Sequence, residues 1–194
     1  RSGPYAYTTA SPPHPSAYDA FFSEGRFCGQ CHDIHNPLLT GYRMEAGAAV
    51  ATGRPFAIER TFSEWRYSSF GDGDGTGDAT CQGCHMPEVT TPAHASSDTD
   101  PAFLRPEMSR HDLSGGSTWQ PLALAEILPG DADANVPLFM ASAGRARTML
   151  ESAATLEIVT SALTAGRATA TVRVTNLTGH KLPTGYPEGR RMWL

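Results

Sequence analysis

All four cysteines of the chain fall in two copies of one short pattern, Cys28-Gly29-Gln30-Cys31-His32 and Cys81-Gln82-Gly83-Cys84-His85. The pattern is C-x-x-C-H, the attachment signature of a c-type haem. Its spacing has a chemical reason. Two thiols three residues apart add to the two vinyl groups of one porphyrin, and the histidine after the second thiol is then held against the iron. Cys28, Cys31, Cys81 and Cys84 are therefore expected as thioether anchors of two haem c groups. His32 and His85 are expected as the proximal iron ligands.

Other uses of the cysteines fit less well. Zinc ribbons pair two C-x-x-C units about 15–20 residues apart, whereas residues 32–80 intervene here. A zinc site also gives no reason for a histidine after both pairs. A thioredoxin-like redox pair needs a βαβ context that neither motif has. Two disulfides would each be an unusually tight pairing.

Composition agrees with a chain that needs its cofactors. Of 194 residues, 19 are Gly and 15 Pro, and only 18% are charged, so loops dominate and a protein core is small. Two macrocycles would supply large flat apolar surfaces for side chains to pack on. The net charge is −5, no Lys/Arg-rich block appears and the only lysine is Lys181, which argues against a nucleic-acid partner. No apolar run approaches the roughly 20 residues of a membrane span. Haem is attached to this motif outside the cytoplasm in bacteria. A periplasmic or extracellular location is therefore expected, with an export signal that these residues do not include. Arg190 to Leu194 read as the start of a strand, so further sequence and further haems are expected on both sides.

Along the chain the pattern predicts an α+β, loop-rich fold. Short helices and coil would pack around two haems (residues 1–136), followed by a connecting helix (137–154). An antiparallel, β-sandwich-like piece (155–194) would close the chain. Tyr18 to Phe27 would form a short helix delivering Cys28, and Pro37 would stop any helix begun at the first motif. Residues 56–70 carry Phe56, Ile58, Phe62, Trp65 and Phe70, a short amphipathic stretch that would set aromatics on a haem. Residues 86–120 read as loop. Residues 137–153 read as one helix with Pro137 in its first turn and Leu138, Phe139, Met149 and Leu150 facing the core. LEIVTSAL and ATATVRVTNL, parted by Ala165-Gly166, read as a β-hairpin. In the loop at 71–78, Asp72, Asp74, Thr76 and Gly77 imitate the first half of a Ca2+-binding loop. Its twelfth position is Gly83 where a bidentate Glu is needed, so a solvated turn is the better reading.

Five histidines remain as candidate distal iron ligands. His180 ranks first, because Gly179 would let backbone approach a flat ligand and Pro183 and Gly185 would stiffen the turn. His111 ranks second, with Asp112 placed to orient its ring. His35, His14 and His94 are further candidates for these or other haems. His35 lies too near His32 to reach the far face of the same disc. Met44 and Met108 are weaker candidates, and Met86 cannot swing round from beside His85. Arg190 and Arg191 are candidates to pair with haem propionates.

With these residues in place, the chain resembles the multihaem c-type cytochromes of bacterial respiratory chains. That group takes in relatives of cytochrome c-554 and hydroxylamine oxidoreductase and the large extracytoplasmic cytochromes of metal-reducing bacteria. TCQGCHMP (Thr80 to Pro87), RHDLSGG (Arg110 to Gly116) and NLTGHKLPTGYPEGRRMWL (Asn176 to Leu194) carry the resemblance, which runs from about residue 26 to 194. It implies His180 and His111 as distal ligands, a β-sandwich-like piece after the haem region, and more haems than two. Other multihaem cytochromes would be the redox partners, and an oligomer or filament is compatible with it.

A haem with histidine on both faces has no open site and exchanges an electron with little change in geometry. Dihistidine ligation also gives lower potentials than His/Met ligation. Electron transfer in a respiratory or extracellular chain is the expected function, ahead of an enzyme. The alternative is a multihaem oxidoreductase of small nitrogen or sulfur compounds whose catalytic haem lies outside these residues. Such enzymes need an open iron, often attached through an altered C-x-x-C-K motif, which this chain lacks. A cell-surface binding module finds little support beyond the strands.

Overall fold

The computed structural model describes residues 2–6, 14–71, 73, 79–94, 100–130, 135–185 and 192. It divides into two compact units, Arg1–Arg110 with Gly179–Leu194, and His111–Thr178. Asp72, Asp74, Thr76, Gly77, Arg190 and Arg191 lie outside the described residues.

The first unit begins with a parallel pair of two-residue strands, β1 (Ser2–Gly3) and β2 (Ala17–Tyr18). A 3₁₀ turn, Ala20–Ser23, follows, with the Asp19 carboxylate accepting from Phe21 N at 3.1 Å. That turn leads into α1 (Gly25–Gly29) at the first motif. A hairpin comes next, β3 (His35–Glu45) with β4 (Ala48–Ala57), then α2 (Thr61–Arg66) and α3 (Cys81–His85). β5 (Ala93–His94) and β6 (Leu104–Arg105) pair antiparallel around a 3₁₀ turn at Pro101–Phe103.

α1 ends at Gly29, before Pro37 is reached, and Pro37 lies in the β3–β4 hairpin. The hairpin's turn is Ala46-Gly47, with φ of 49° and 83°. Two successive left-handed residues make the tight hairpin turn whose twist matches the flanking strands. Pro37 is tolerated because the ladder is irregular between Asn36 and Thr40 and again between Thr40 and Tyr42. A strand residue without an N–H costs nothing where no ladder bond is made.

The second unit holds α4 (Trp119–Ile127), α5 (Val136–Ser152), β7 (Ala154–Thr164) and β8 (Arg167–Asn176). α4 falls partly where loop was expected. α5 begins as expected, with Pro137 in the first turn and the Asn135 side chain accepting from Leu138 N at 3.2 Å. Its inward face differs from expectation. Leu138 and Leu150 are exposed, and the buried side chains are Ala143 and Ala146, with Ala153 just beyond the helix. Small residues at helical spacing let α4 pack closely, with Leu138 and Leu150 turned outward and Phe139 and Met149 half-buried. β7 and β8 form the expected hairpin through Ala165-Gly166, with φ of 50° and 76°.

The class is therefore mixed α+β and loop-rich, with an antiparallel hairpin toward the C-terminus. Each sheet among the described residues has two strands, so the β-rich piece is a hairpin and no sandwich is seen there. The protein core is small. Among the described residues the buried apolar ones are Trp65, Ala143, Ala146 and Ala153.

Candidate haem-binding site

Trp65 of α2 is the centre of the first unit, and it touches what precedes three candidate ligands. It is 4% exposed. A Cβ on Gly25, at the head of α1, would lie 2.6 Å from its ring, so that position must lack one. Its indole Nε1 donates to Ala79 O at 2.9 Å, just ahead of the second motif. Gly179, the residue before His180, is just as constrained, because a Cβ there would lie 2.8 Å from Trp65 Cδ1. Gly179 is thus explained by the tryptophan, where the sequence suggested approach to a flat ligand. Trp65 itself is buried among protein groups, not laid out as a platform.

The two motifs lie side by side. Gln82, the second residue of the second motif, donates through Nε2 to Phe22 O at 3.1 Å and Glu24 O at 2.9 Å, the segment leading into the first motif. Cys81 Sγ lies 3.9 Å from Gly25 O, and its thiol bonds to Cys28. That bond pulls the Cys28 thiol down to about 7, helped by the charge of His32 and opposed by burial. The same bond, with burial, pushes the Cys81 thiol up. Cys31 and Cys84 are exposed. All four cysteines are described, and no group of three or more His, Cys, Asp or Glu side chains among the described residues converges as a metal cage.

Each motif is one helical turn, which sets its two thiols on one face. In the second, α3 is the pentapeptide itself, with Thr80 Oγ1 capping by accepting from Gly83 N at 3.3 Å. In the first, α1 starts earlier, and His32 N still donates to Cys28 O at 3.0 Å.

His32 is fastened from behind. Its Nδ1 lies 2.9 Å from Glu59 Oε1, and Phe62 N donates to its carbonyl at 2.9 Å. Next to it, Asp33 accepts from Ser63 Oγ at 2.6 Å and pairs with Arg60 at 3.2 Å. A proton on Nδ1 puts the ring lone pair on Nε2, the nitrogen that meets a metal.

His180 is brought to His85. Their ring centroids are 6.3 Å apart and the planes 19° from parallel. His180 Nδ1 lies 3.0 Å from the Lys181 carbonyl, which again favours Nε2 as the metal-facing nitrogen. Glu64 of α2 holds the loop, as its Oε2 accepts from Lys181 N at 3.0 Å and Thr184 Oγ1 at 2.7 Å. Leu182–Pro183 is cis and Gly185 has a φ of 80°.

The other candidates are dispersed. His111 opens the second unit, where Asp112 pairs with Arg145 at 3.5 Å. His35 begins β3 and is exposed. His14 is exposed, its Nδ1 3.3 Å from Pro15 O. His94 lies in β5, and its Nδ1 is buried with no hydrogen-bond partner among the described residues. Met44 is 70% exposed on β3. The sequence reading missed Glu59 and Glu64. Both lie in the stretch 56–70 that was read for its aromatic and apolar residues, and only the folded chain shows what the two carboxylates face.

A haem fits these residues. Metal–imidazole bonds of about 2 Å on both sides of one iron put the ring centroids roughly 6 Å apart, which matches the His85–His180 spacing of 6.3 Å. Comparison with family models, characterised proteins and solved structures returns no match. No helix among the described residues is long and apolar enough to cross a membrane.

Proposed function

We propose that the chain is an electron carrier with two covalently bound haem c groups, of the multihaem cytochrome type, working in a bacterial respiratory or extracellular chain. Cys28 and Cys31 would anchor one haem with His32 as its proximal ligand. Cys81 and Cys84 would anchor the other, with His85 and His180 on its two faces. When bound, each haem supplies an iron that cycles between ferric and ferrous by one electron. The protein's part is to hold the ligands still, so that an electron arrives and leaves without rearrangement.

The observation that carries the reading is the pairing of His85 with His180 at 6.3 Å. Two motif-borne haems on adjacent helical turns would also sit close enough for an electron to pass between them. Large exposed apolar side chains near the motifs, among them Phe27, Ile34 and Phe70, are surfaces that the discs would cover.

The test is the absorption spectrum of the reduced protein with and without carbon monoxide, together with a pyridine-haemochrome count. Two c-type haems per chain and no response to carbon monoxide are the expected result. A carbon monoxide shift in the Soret band would reveal an open iron and move the reading to the multihaem oxidoreductase, or to a distal ligand supplied from outside the described residues.

A further inference from the structure

Behind the first motif's histidine stands a buried carboxylate. Glu59 is 7% exposed, and it is the one buried charged side chain among the described residues. Burying a carboxylate costs several kcal/mol unless donors compensate it. Two donors converge on its Oε1: His32 Nδ1 at 2.9 Å and Thr61 Oγ1 at 3.3 Å. The backbone fixes the arrangement, because Ile58 N and Glu59 N both donate to Ile34 O, at 2.9 and 3.1 Å.

Thr61 has one proton and two acceptors. The other is Thr184 Oγ1 at 2.9 Å, whose own proton is committed to Glu64 Oε2 at 2.7 Å. When Thr61 turns to Thr184, His32 becomes the main donor to Glu59. Histidine Nδ1–H donating to a carboxylate gives the ring imidazolate character. Nε2 then becomes a stronger donor to a metal, which favours the ferric state.

We propose that Glu59 is a positioning residue for the iron bound at His32. It fixes the ring with Nε2 toward the metal and holds that haem at a lower potential than the same haem would have without the carboxylate. The proposal rests on the haem reading of Cys28–His32.

The test is a spectroelectrochemical titration of the haem-loaded protein as wild type, Glu59→Gln and Glu59→Asp, with haemochrome counts on each. Gln keeps the shape and removes the charge, while Asp keeps the charge. In Glu59→Gln one midpoint should rise by the equivalent of a tenfold change in the oxidised-to-reduced ratio, about 59 mV for one electron. The other midpoint should stay in place. The haem that moves should be the one that His180→Ala leaves closed to carbon monoxide, and Glu59→Asp should remain near wild type. Unmoved midpoints in a doubly loaded Glu59→Gln protein overturn the proposal. So does an equal shift of both haems, or an Asp variant that moves as far as Gln.

If the variants do not load, the wild-type holoprotein still decides. The hyperfine-shifted Nδ1 proton of His32 should exchange slowly with solvent, and rapid exchange refutes the carboxylate contact. A wild-type protein that binds no covalent haem overturns the parent reading, an outcome that the haemochrome count separates from all the others.

Discussion

The imidazoles of His85 and His180 face one another across a 6.3 Å centroid separation, with planes 19° from parallel. They are 95 positions apart in sequence. Both are tied to Trp65, one through Ala79 and the other through Gly179. A single buried indole therefore touches the segments that lead to both candidate ligands.

Replacing His180 by Ala should leave two haems attached, since the thioether anchors are elsewhere. One of the two should then bind carbon monoxide and show a high-spin fraction in the ferric spectrum. His180→Met should restore six-coordination at a higher potential. A His180→Ala protein whose two haems both ignore carbon monoxide would assign the distal position to another residue.

Glu64 keeps the His180 loop in register through Lys181 N and the Thr184 hydroxyl. The Lys181 ammonium, 3.7 Å away and largely exposed, adds little. Glu64→Ala should loosen the loop by about 2 kcal/mol, the order of a hydrogen bond to a charged acceptor. Carbon monoxide should then compete measurably for the His85 haem while the other haem stays closed.

Gly179→Ala forces a methyl group against the Trp65 ring. It should cost about 1–3 kcal/mol in urea unfolding, as overpacking does. Gly130, where an added Cβ meets nothing within 4 Å, is the control. Gly130→Ala should shift stability by no more than about 0.5 kcal/mol.

Cys28 has its thiol drawn down from 9.0 to about 7, chiefly by the bond from Cys81. A lowered thiol is a thiolate at lower pH, and the thiolate is the nucleophile. Before haem attachment, alkylation of Cys28 should therefore reach half its limiting rate near pH 7. The midpoint is the readout, because a less basic thiolate is also a weaker nucleophile and the rate at one pH does not separate the two effects. Cys81→Ala should move the Cys28 midpoint up toward 9.0, because the largest cause is gone while burial remains. Mass spectrometry of peptides alkylated across a pH series reads both proteins.

Ala165 holds a left-handed φ of 50° in the β7–β8 turn. That conformation costs a non-glycine L-residue about 1–2 kcal/mol, and Asn relieves part of it through local hydrogen bonding. Ala165→Asn should raise hairpin stability by about 0.5 kcal/mol, visible as slower amide exchange in β7 and β8.

Two haem-attachment sites, with His32 and His85 as proximal ligands, are proposed from the pentapeptides alone, because that chemistry is contiguous in the chain. The C-terminal hairpin was legible for the same reason, since alternation and an Ala-Gly turn are local signals. The hairpin at residues 35–57 carries the same Ala-Gly turn, but two prolines and broken alternation masked it. Fold alone decided the rest. Glu59 reaches His32 across 27 positions, and Glu64 reaches Lys181 and Thr184 across 117 and 120. Nothing in a local pattern marks a carboxylate that becomes buried, because its partners are chosen by packing around Trp65. The sequence ranked His180 first by its turn; the tertiary structure chose its position opposite His85, by wedging Gly179 against the indole.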